Sequence, residues 1–206
     1  RRAARPTRSP PRRRSSPLAS PPRICYPGGA TFFWWQMGAA TRLRELYDLR
    51  GCEAPGCSAG ALAAVLSQHK VDPQEAHRIA FSLADEAHVF TNPLGLACKW
   101  GRLVEAWLRQ LLPEEIDSVP EGSAAVVVIT RMTPLPRLAR ITCFVSREQL
   151  ISCLMGSTHI PWFMDGNFSR VLRGVGGETK GDDVIRAVDG GFLEFCGLAT
   201  NHDLLI

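Results

Sequence analysis

Residues 54–68 read APGCSAGALAAVLSQ. Its centre, Gly56-Cys57-Ser58-Ala59-Gly60, matches Gly-x-Ser-x-Gly. That pattern suits a sharp strand-to-helix turn, which lifts a serine hydroxyl clear of a sheet. Glycine at both flanks and alanine at 59 remove side chains that would crowd so tight a turn. The residues that follow are small and helix-competent. The N-terminus of that helix, with its partial positive charge, then points at Ser58. A pentapeptide alone is a weak signal, so its neighbours have to carry the reading.

Upstream, the apolar run Ile24 to Tyr26 leads into Pro27-Gly28-Gly29-Ala30. Successive backbone amides there suit an oxyanion hole, although glycines also serve a plain strand-to-helix turn. From Phe32 to Leu49, residues Phe33, Gln36, Met37, Ala40, Leu43 and Leu46 recur near helical spacing. Downstream, Asp72-Pro73-Gln74-Glu75 is a helix start with a capping carboxylate, a proline in the first turn and a glutamate able to return the bond. That helix is expected to run to about His88. A further helix passes through Leu103, Trp107, Leu108 and Leu111 and stops at Pro113. Ser123 to Thr130 reads as a buried strand, Arg140 to Val145 as a second, and Ser146 as the cap of a helix from Arg147 to about Met155. Val184 to Val188 is a last short strand running into Asp189-Gly190-Gly191. There the glycines leave the Asp189 carboxylate free to project, though Asp-Gly also suits a hairpin turn. Asp165-Gly166-Asn167 reads as such a turn.

Strands alternating with helices predict an α/β fold with a largely parallel sheet covered by helices on both faces. One domain over 24–206 is expected, behind a basic tail over 1–23. The tail holds eight arginines and no acid, with too little apolar surface to offset its ordering entropy. It reads as a solvated basic arm, or as an Arg- and Ser-rich organelle transit peptide. With its eight removed from the 24 Lys and Arg, 16 basic residues face 20 acidic ones. The folded part is thus mildly acidic, which disfavours nucleic acid as a partner. An intracellular location, cytoplasmic or organellar, is expected. No apolar run reaches the length of a membrane span.

The seven cysteines (25, 52, 57, 98, 143, 153 and 196) show no Cys-x-x-Cys pair and no zinc-ligand spacing. They read as reduced thiols, mostly in the core. Asp182-Asp183, adjacent on a strand, point to opposite faces rather than at one ion. Gly174-Val175-Gly176-Gly177 follows no convincing strand and opens no helix, so it reads as a loop rather than a dinucleotide cradle. No metal and no cofactor are expected.

Taken together, PGGATFFWWQMGA, GCSAGAL, HIPWF and VDGG, in that order, resemble the patatin-like phospholipase family over residues 24–195. The resemblance implies a three-layer α/β/α sandwich and hydrolysis of carboxylic esters in lipids through a Ser-Asp dyad. Carried over residue by residue, Ser58 is the nucleophile and Asp189 the base. Gly28, Gly29 and Ala30 are the oxyanion donors, Gly56, Cys57, Ala59 and Gly60 frame the nucleophile elbow, and Gly190 and Gly191 complete the aspartate turn. The implied partner is a lipid ester, met at a membrane or lipid-droplet surface. The chain departs from the pattern at Ala30, where the family often has a third glycine followed by a basic residue. Phe192-Leu193-Glu194-Phe195 stands where Asn-x-Pro often follows, and the chain closes 17 residues after Asp189. A truncated C-terminus is therefore expected. These departures motivate a second reading, a catalytically silent lipid-binding or scaffold protein.

A triad of the α/β-hydrolase order, Ser58, Asp189 and His202, is a formal alternative. His69, His77 and His88 read as surface residues, and His159 as a structural hydrogen-bonding group. Phe32, Phe33, Trp34 and Trp35 read as core packing, with an acyl channel or a lipid surface as the alternative.

Overall fold

The computed structural model describes residues 23–49, 51–116, 125–175 and 184–196. The tail before Arg23, Gly176-Gly177, Asp182-Asp183 and His202 lie outside these residues.

After a single 3-10 turn over Ala30–Phe32, helix α1 runs over Phe33–Leu46. Strand β1 (Ala54–Cys57) then leads through Ser58 into α2 (Ala59–Gln68). Every residue of α2 from Ala59 to Ser67 is buried, because its small side chains let strands and helices close in on all sides. Helix α3 (Pro73–Glu86) begins as the sequence predicts. Asp72 accepts the amides of Gln74 at 3.2 Å and Glu75 at 3.3 Å, with Pro73 in the first turn. Helix α4 (Trp100–Leu111) turns Val104, Trp107 and Leu108 to the core. Strands β2 (Ala125–Arg131) and β3 (Arg137–Ile141), helix α5 (Arg147–Ser157), strands β4 (Arg170–Arg173) and β5 (Val184–Val188) and the one-turn helix α6 (Phe192–Phe195) complete the chain.

The sheet is mixed, which corrects the largely parallel sheet expected from the alternation of elements. Segment 23–26 runs parallel to β1 through the bridges Arg23–Glu53 and Tyr26–Gly56, and β1 runs parallel to β2. The pairs β2–β3, β2–β5 and β4–β5 are antiparallel. Chain length between strands explains the difference. Helices α2, α3 and α4 supply the long crossover that parallel neighbours need, whereas only residues 132–136 join β2 to β3. Proline at 134 and 136 in that connection starts β3 at Arg137, earlier than its apolar content suggests. The sequence reading missed β4, since Arg-Val-Leu-Arg is too short and too polar to announce itself.

Helices α2 and α5 pack on the sheet face that carries Val127 and Ile129. The opposite face gathers Cys57, Val126, Val128 and Leu138 in a smaller cluster. A mixed α/β architecture follows. The helical layer on the second face remains an expectation of the resemblance.

The register of β2 has one consequence that governs everything downstream. Val128 pairs with both Cys57 and Arg140, so β1 and β3 lie on opposite edges of β2 there. Thr130 pairs with both Val188 and Leu138, so β5 and β3 lie on opposite edges two residues further on. Since β3 occupies one edge throughout, β1 and β5 share the other. They run toward each other along it, and their ends, Cys57 and Val188, are separated only by the span of Ile129. The next residue in each chain segment is Ser58 and Asp189.

Candidate active site

Two strand ends aimed at one point bring Ser58 and Asp189 together although 131 residues separate them. Ser58 sits between β1 and α2 with φ 53° and ψ −132°, a left-handed conformation that a serine adopts only under compulsion from its surroundings. The compulsion is visible at Gly60. A Cβ there would lie 2.0 Å from the Tyr26 carbonyl oxygen and 2.5 Å from that of Pro27. Backbone thus passes directly over the first turn of α2, and only glycine lets it. On the other side of the site, a Cβ on Gly190 would meet the Val128 carbonyl oxygen at 2.4 Å and Cys57 Cβ at 2.8 Å.

Asp189 opens a turn in which its Oδ1 accepts the Gly191 amide at 2.8 Å. Burial pushes its carboxyl above the ordinary carboxylate range. The nearby Ser58 hydroxyl, the Gly191 amide and His159 pull it back in part. Asp189 Oδ2 is buried and has no partner among the described residues. An unmated acceptor beside a hydroxyl is a poised arrangement, because catalytic hydrogen bonds often tighten only once substrate is bound.

Gly28 touches this elbow: a Cβ on it would stand 3.3 Å from Ser58 Cβ. Gly28, Gly29 and Ala30 are exposed, and their amides make no backbone hydrogen bond among the described residues. Gln36 of α1 donates to the Pro27 carbonyl at 2.7 Å and so ties down the start of this loop. Ala30 has φ 46°, where a third glycine would be unstrained. Because segment 23–26 lies parallel to β1, this loop leaves the sheet at the same end as Ser58.

Two buried groups at and just beyond the end of α5 hold the site, of which the sequence singled out His159 but not Ser157. Ser157 accepts the Ser58 amide at 2.9 Å and donates to the Val128 carbonyl at 2.6 Å. The His159 carbonyl accepts the Asp189 amide at 2.9 Å. The one signal for Ser157 is a hydroxyl in the otherwise apolar run Cys153-Leu154-Met155-Gly156, a pattern that also fits an ordinary helix end. His159 has the structural bond expected of it, its Nε2 lying 3.1 Å from the Asn167 carbonyl oxygen. Asp165-Gly166-Asn167 forms a turn, with the Asn167 amide donated to Asp165 Oδ1 at 2.9 Å, but it joins α5 to β4 rather than two paired strands, which corrects the hairpin expected there.

The aromatic run divides. Phe33 is buried and Trp34 packs against it, whereas Phe32 is 66% exposed and Trp35 71% exposed, which corrects the expectation of core packing for all four. On the Asp189 side, Trp162 is 64% exposed and lies 5.2 Å from Phe168, centroid to centroid; Phe168 lies 6.4 Å from Phe192. Exposed apolar rings thus adjoin both the Gly28-Gly29-Ala30 loop, through Phe32 beside Gly29, and the segment after Asp189, through Phe168 on Phe192. Of the seven cysteines, Cys52, Cys57 and Cys153 are buried and the other four exposed, so the thiols are not mostly core residues. Burial pushes the Cys153 thiol up to about 12. Among the described residues, no helix is long and apolar enough to cross a membrane.

No family model matches the chain. Among curated proteins it is similar to the omega-hydroxyceramide transacylase of Homo sapiens, 30% identical over 178 residues that cover 84% of this chain and 31% of that protein. The omega-hydroxyceramide transacylase of Mus musculus is 28% identical over 177 residues, covering 84% of this chain and 27% of that protein. The chain thus spans about a third or less of the length of these relatives.

Proposed function

We propose that this chain carries a serine acyl-transfer centre for lipid esters, with Ser58 as nucleophile and Asp189 as base. The observation that carries the proposal is the meeting of a strained serine, at φ 53°, with a carboxyl whose buried Oδ2 lacks a partner. The packing around Gly60 holds the strained turn in place, and backbone strain kept in this way gathers at sites of chemistry, which favours a chemical role for Ser58.

The Ser58 oxygen attacks the ester carbonyl and its proton passes to Asp189. Charge that develops on the carbonyl oxygen is met by the amides of Gly28, Gly29 and Ala30, donors typically worth about 3 kcal/mol each in such sites. The bond to the leaving alcohol breaks, and that alcohol takes the proton from Asp189. An acceptor hydroxyl then gives its proton to Asp189 and attacks the acyl-serine; the bond from Ser58 to the acyl carbon breaks, and Ser58 takes that proton from Asp189. A carboxylate at its ordinary value is a weak base for a hydroxyl. The upward displacement of Asp189 by burial brings it closer to useful basicity.

The acceptor decides between two outcomes. Water makes the chain a lipid acyl hydrolase, as the resemblance to patatin-like phospholipases implies. A lipid hydroxyl makes it a transacylase, and the names of the relatives favour this second reading. Exposed rings on both flanks, Phe32 and Trp162 among them, suit long apolar chains in either case.

Intact mass after treatment with a fluorophosphonate tests the centre. The expected result is one adduct on the wild type, none on Ser58→Ala, and labelling slowed roughly 100-fold or more in Asp189→Asn. A folded wild type that takes no adduct overturns the proposal and leaves the silent lipid-binding reading. Supplying a lipid ester with and without a long-chain ω-hydroxy lipid, and measuring free acid against acylated product, separates hydrolase from transacylase.

A further inference from the structure

We infer that Ser157 is a positioning residue which holds the nucleophile and the base in one frame; this rests on the reading of Ser58 and Asp189 above. Ser157 is the last residue of α5 and is wholly buried. Its hydroxyl accepts the Ser58 amide at 2.9 Å and donates its own hydrogen to the Val128 carbonyl at 2.6 Å. Its backbone carbonyl accepts the Gly190 amide at 2.9 Å. One residue therefore grips the elbow, strand β2 and the aspartate turn together.

The arrangement is directional. The single hydrogen of the hydroxyl is committed to Val128, so its lone pairs face the Ser58 amide. That bond acts on the residue with the strained backbone and opposes its relaxation. Two residues later the His159 carbonyl accepts the Asp189 amide, so the end of α5 sets the base by backbone alone and the nucleophile by a side chain. Removing the hydroxyl frees the elbow and leaves the aspartate turn in place. It leaves two polar groups without partners at a buried point, the Ser58 amide and the Val128 carbonyl. The elbow relaxes to a commoner backbone conformation and carries the Ser58 oxygen away from the carboxyl.

The test compares Ser157→Thr with Ser157→Val, which have the same shape and differ only in the hydroxyl. Any crowding by the added methyl is common to both. Fluorophosphonate labelling followed at several concentrations separates the binding constant from the limiting rate of acylation. The expected result is a limiting rate roughly 10- to 100-fold lower in Val than in Thr, from misplacement of the nucleophile, with the binding constant little changed. Amide exchange is expected to quicken over residues 57–61 in Val and to stay slow over residues 189–191 in both variants. Equal limiting rates in Thr and Val, or equal exchange over 57–61, overturn the assignment. Exchange is read on the protein whether or not it reacts, so it remains decisive if neither variant labels. A wild type that does not label overturns the catalytic reading as well, whereas an effect absent only from the Thr–Val pair overturns this one alone.

Discussion

A carboxyl with its Oδ2 shut away from water and from every described donor is costly to keep charged, and at Asp189 that cost has a sign that can be measured. Burial raises its pKa in the folded chain, so the charged form is better tolerated unfolded than folded. The wild type is then relatively stabilised below the ordinary carboxylate pKa and loses that stability as pH rises through the raised value. Asp189→Asn removes the charge. It is expected to melt higher than the wild type at neutral pH, with the gap narrowing as pH falls through the raised pKa; thermal unfolding of both proteins between pH 4 and 8 reads this directly. A gap that does not change with pH would show that the carboxyl is not buried in its charged form. The same displacement predicts that labelling of Ser58 falls as pH drops through a value above the ordinary carboxylate range. A neighbouring base that titrates normally would hold its rate to lower pH.

At the scale of elements, the Gly-x-Ser-x-Gly run is a packing statement before it is a chemical one. The Tyr26 carbonyl occupies the place where a Gly60 side chain would begin. Gly60→Ala is therefore expected to destabilise the chain by about 3 kcal/mol, as an unrelieved backbone contact in a packed core does, with Ser58 labelling lost in parallel. Chemical denaturation measures the first and intact mass the second. Gly38, on α1, has open space around its missing Cβ, so Gly38→Ala serves as the control and is expected to be neutral or stabilising. The elbow was legible in sequence because its small residues stand together in one pentapeptide, although the carbonyls that demand glycine at 60 belong to Tyr26 and Pro27. Ser157 was not, because its partners, Ser58 and Val128, are 99 and 29 residues away.

Across the whole molecule, several exposed rings belong to segments that adjoin the site: Phe32 and Trp35 follow the Gly28-Gly29-Ala30 loop in the chain, and Trp162 packs on Phe168, which packs on Phe192 just after Asp189. If this face meets lipid, replacing Phe32, Trp35 and Trp162 together by alanine lowers binding to phosphatidylcholine vesicles by roughly tenfold or more, since each ring withdraws apolar area from water on docking. Neutral lipid is chosen because the eight arginines of residues 1–23 would otherwise add attraction of their own to anionic vesicles. Unchanged binding, with an unchanged melting temperature, would leave the rings a role in holding substrate only. The sequence showed four bulky residues in a row at 32–35. It could not say that the run straddles a 3-10 turn and a helix start, which sends Phe33 inward and Phe32 and Trp35 outward.

By itself the sequence determined what depends on near neighbours: the capped start of α3 at Asp72, the β-branched interior of β2, the tight turn at Ser58 and the glycines after Asp189. The first two are set by hydrogen bonds or sterics within a few residues; the turn and the glycines show in the composition, although the backbone that demands Gly60 and Gly190, at Tyr26 and Val128, is distant in the chain. The tertiary structure alone decided strand direction, because a buried β-branched run such as Val126 to Ile129 packs equally well beside parallel or antiparallel neighbours. It also decided the site. Only the register on β2, Cys57 against Val128 and Val188 against Thr130, brings two strands end to end on one edge and sets Ser58 beside Asp189.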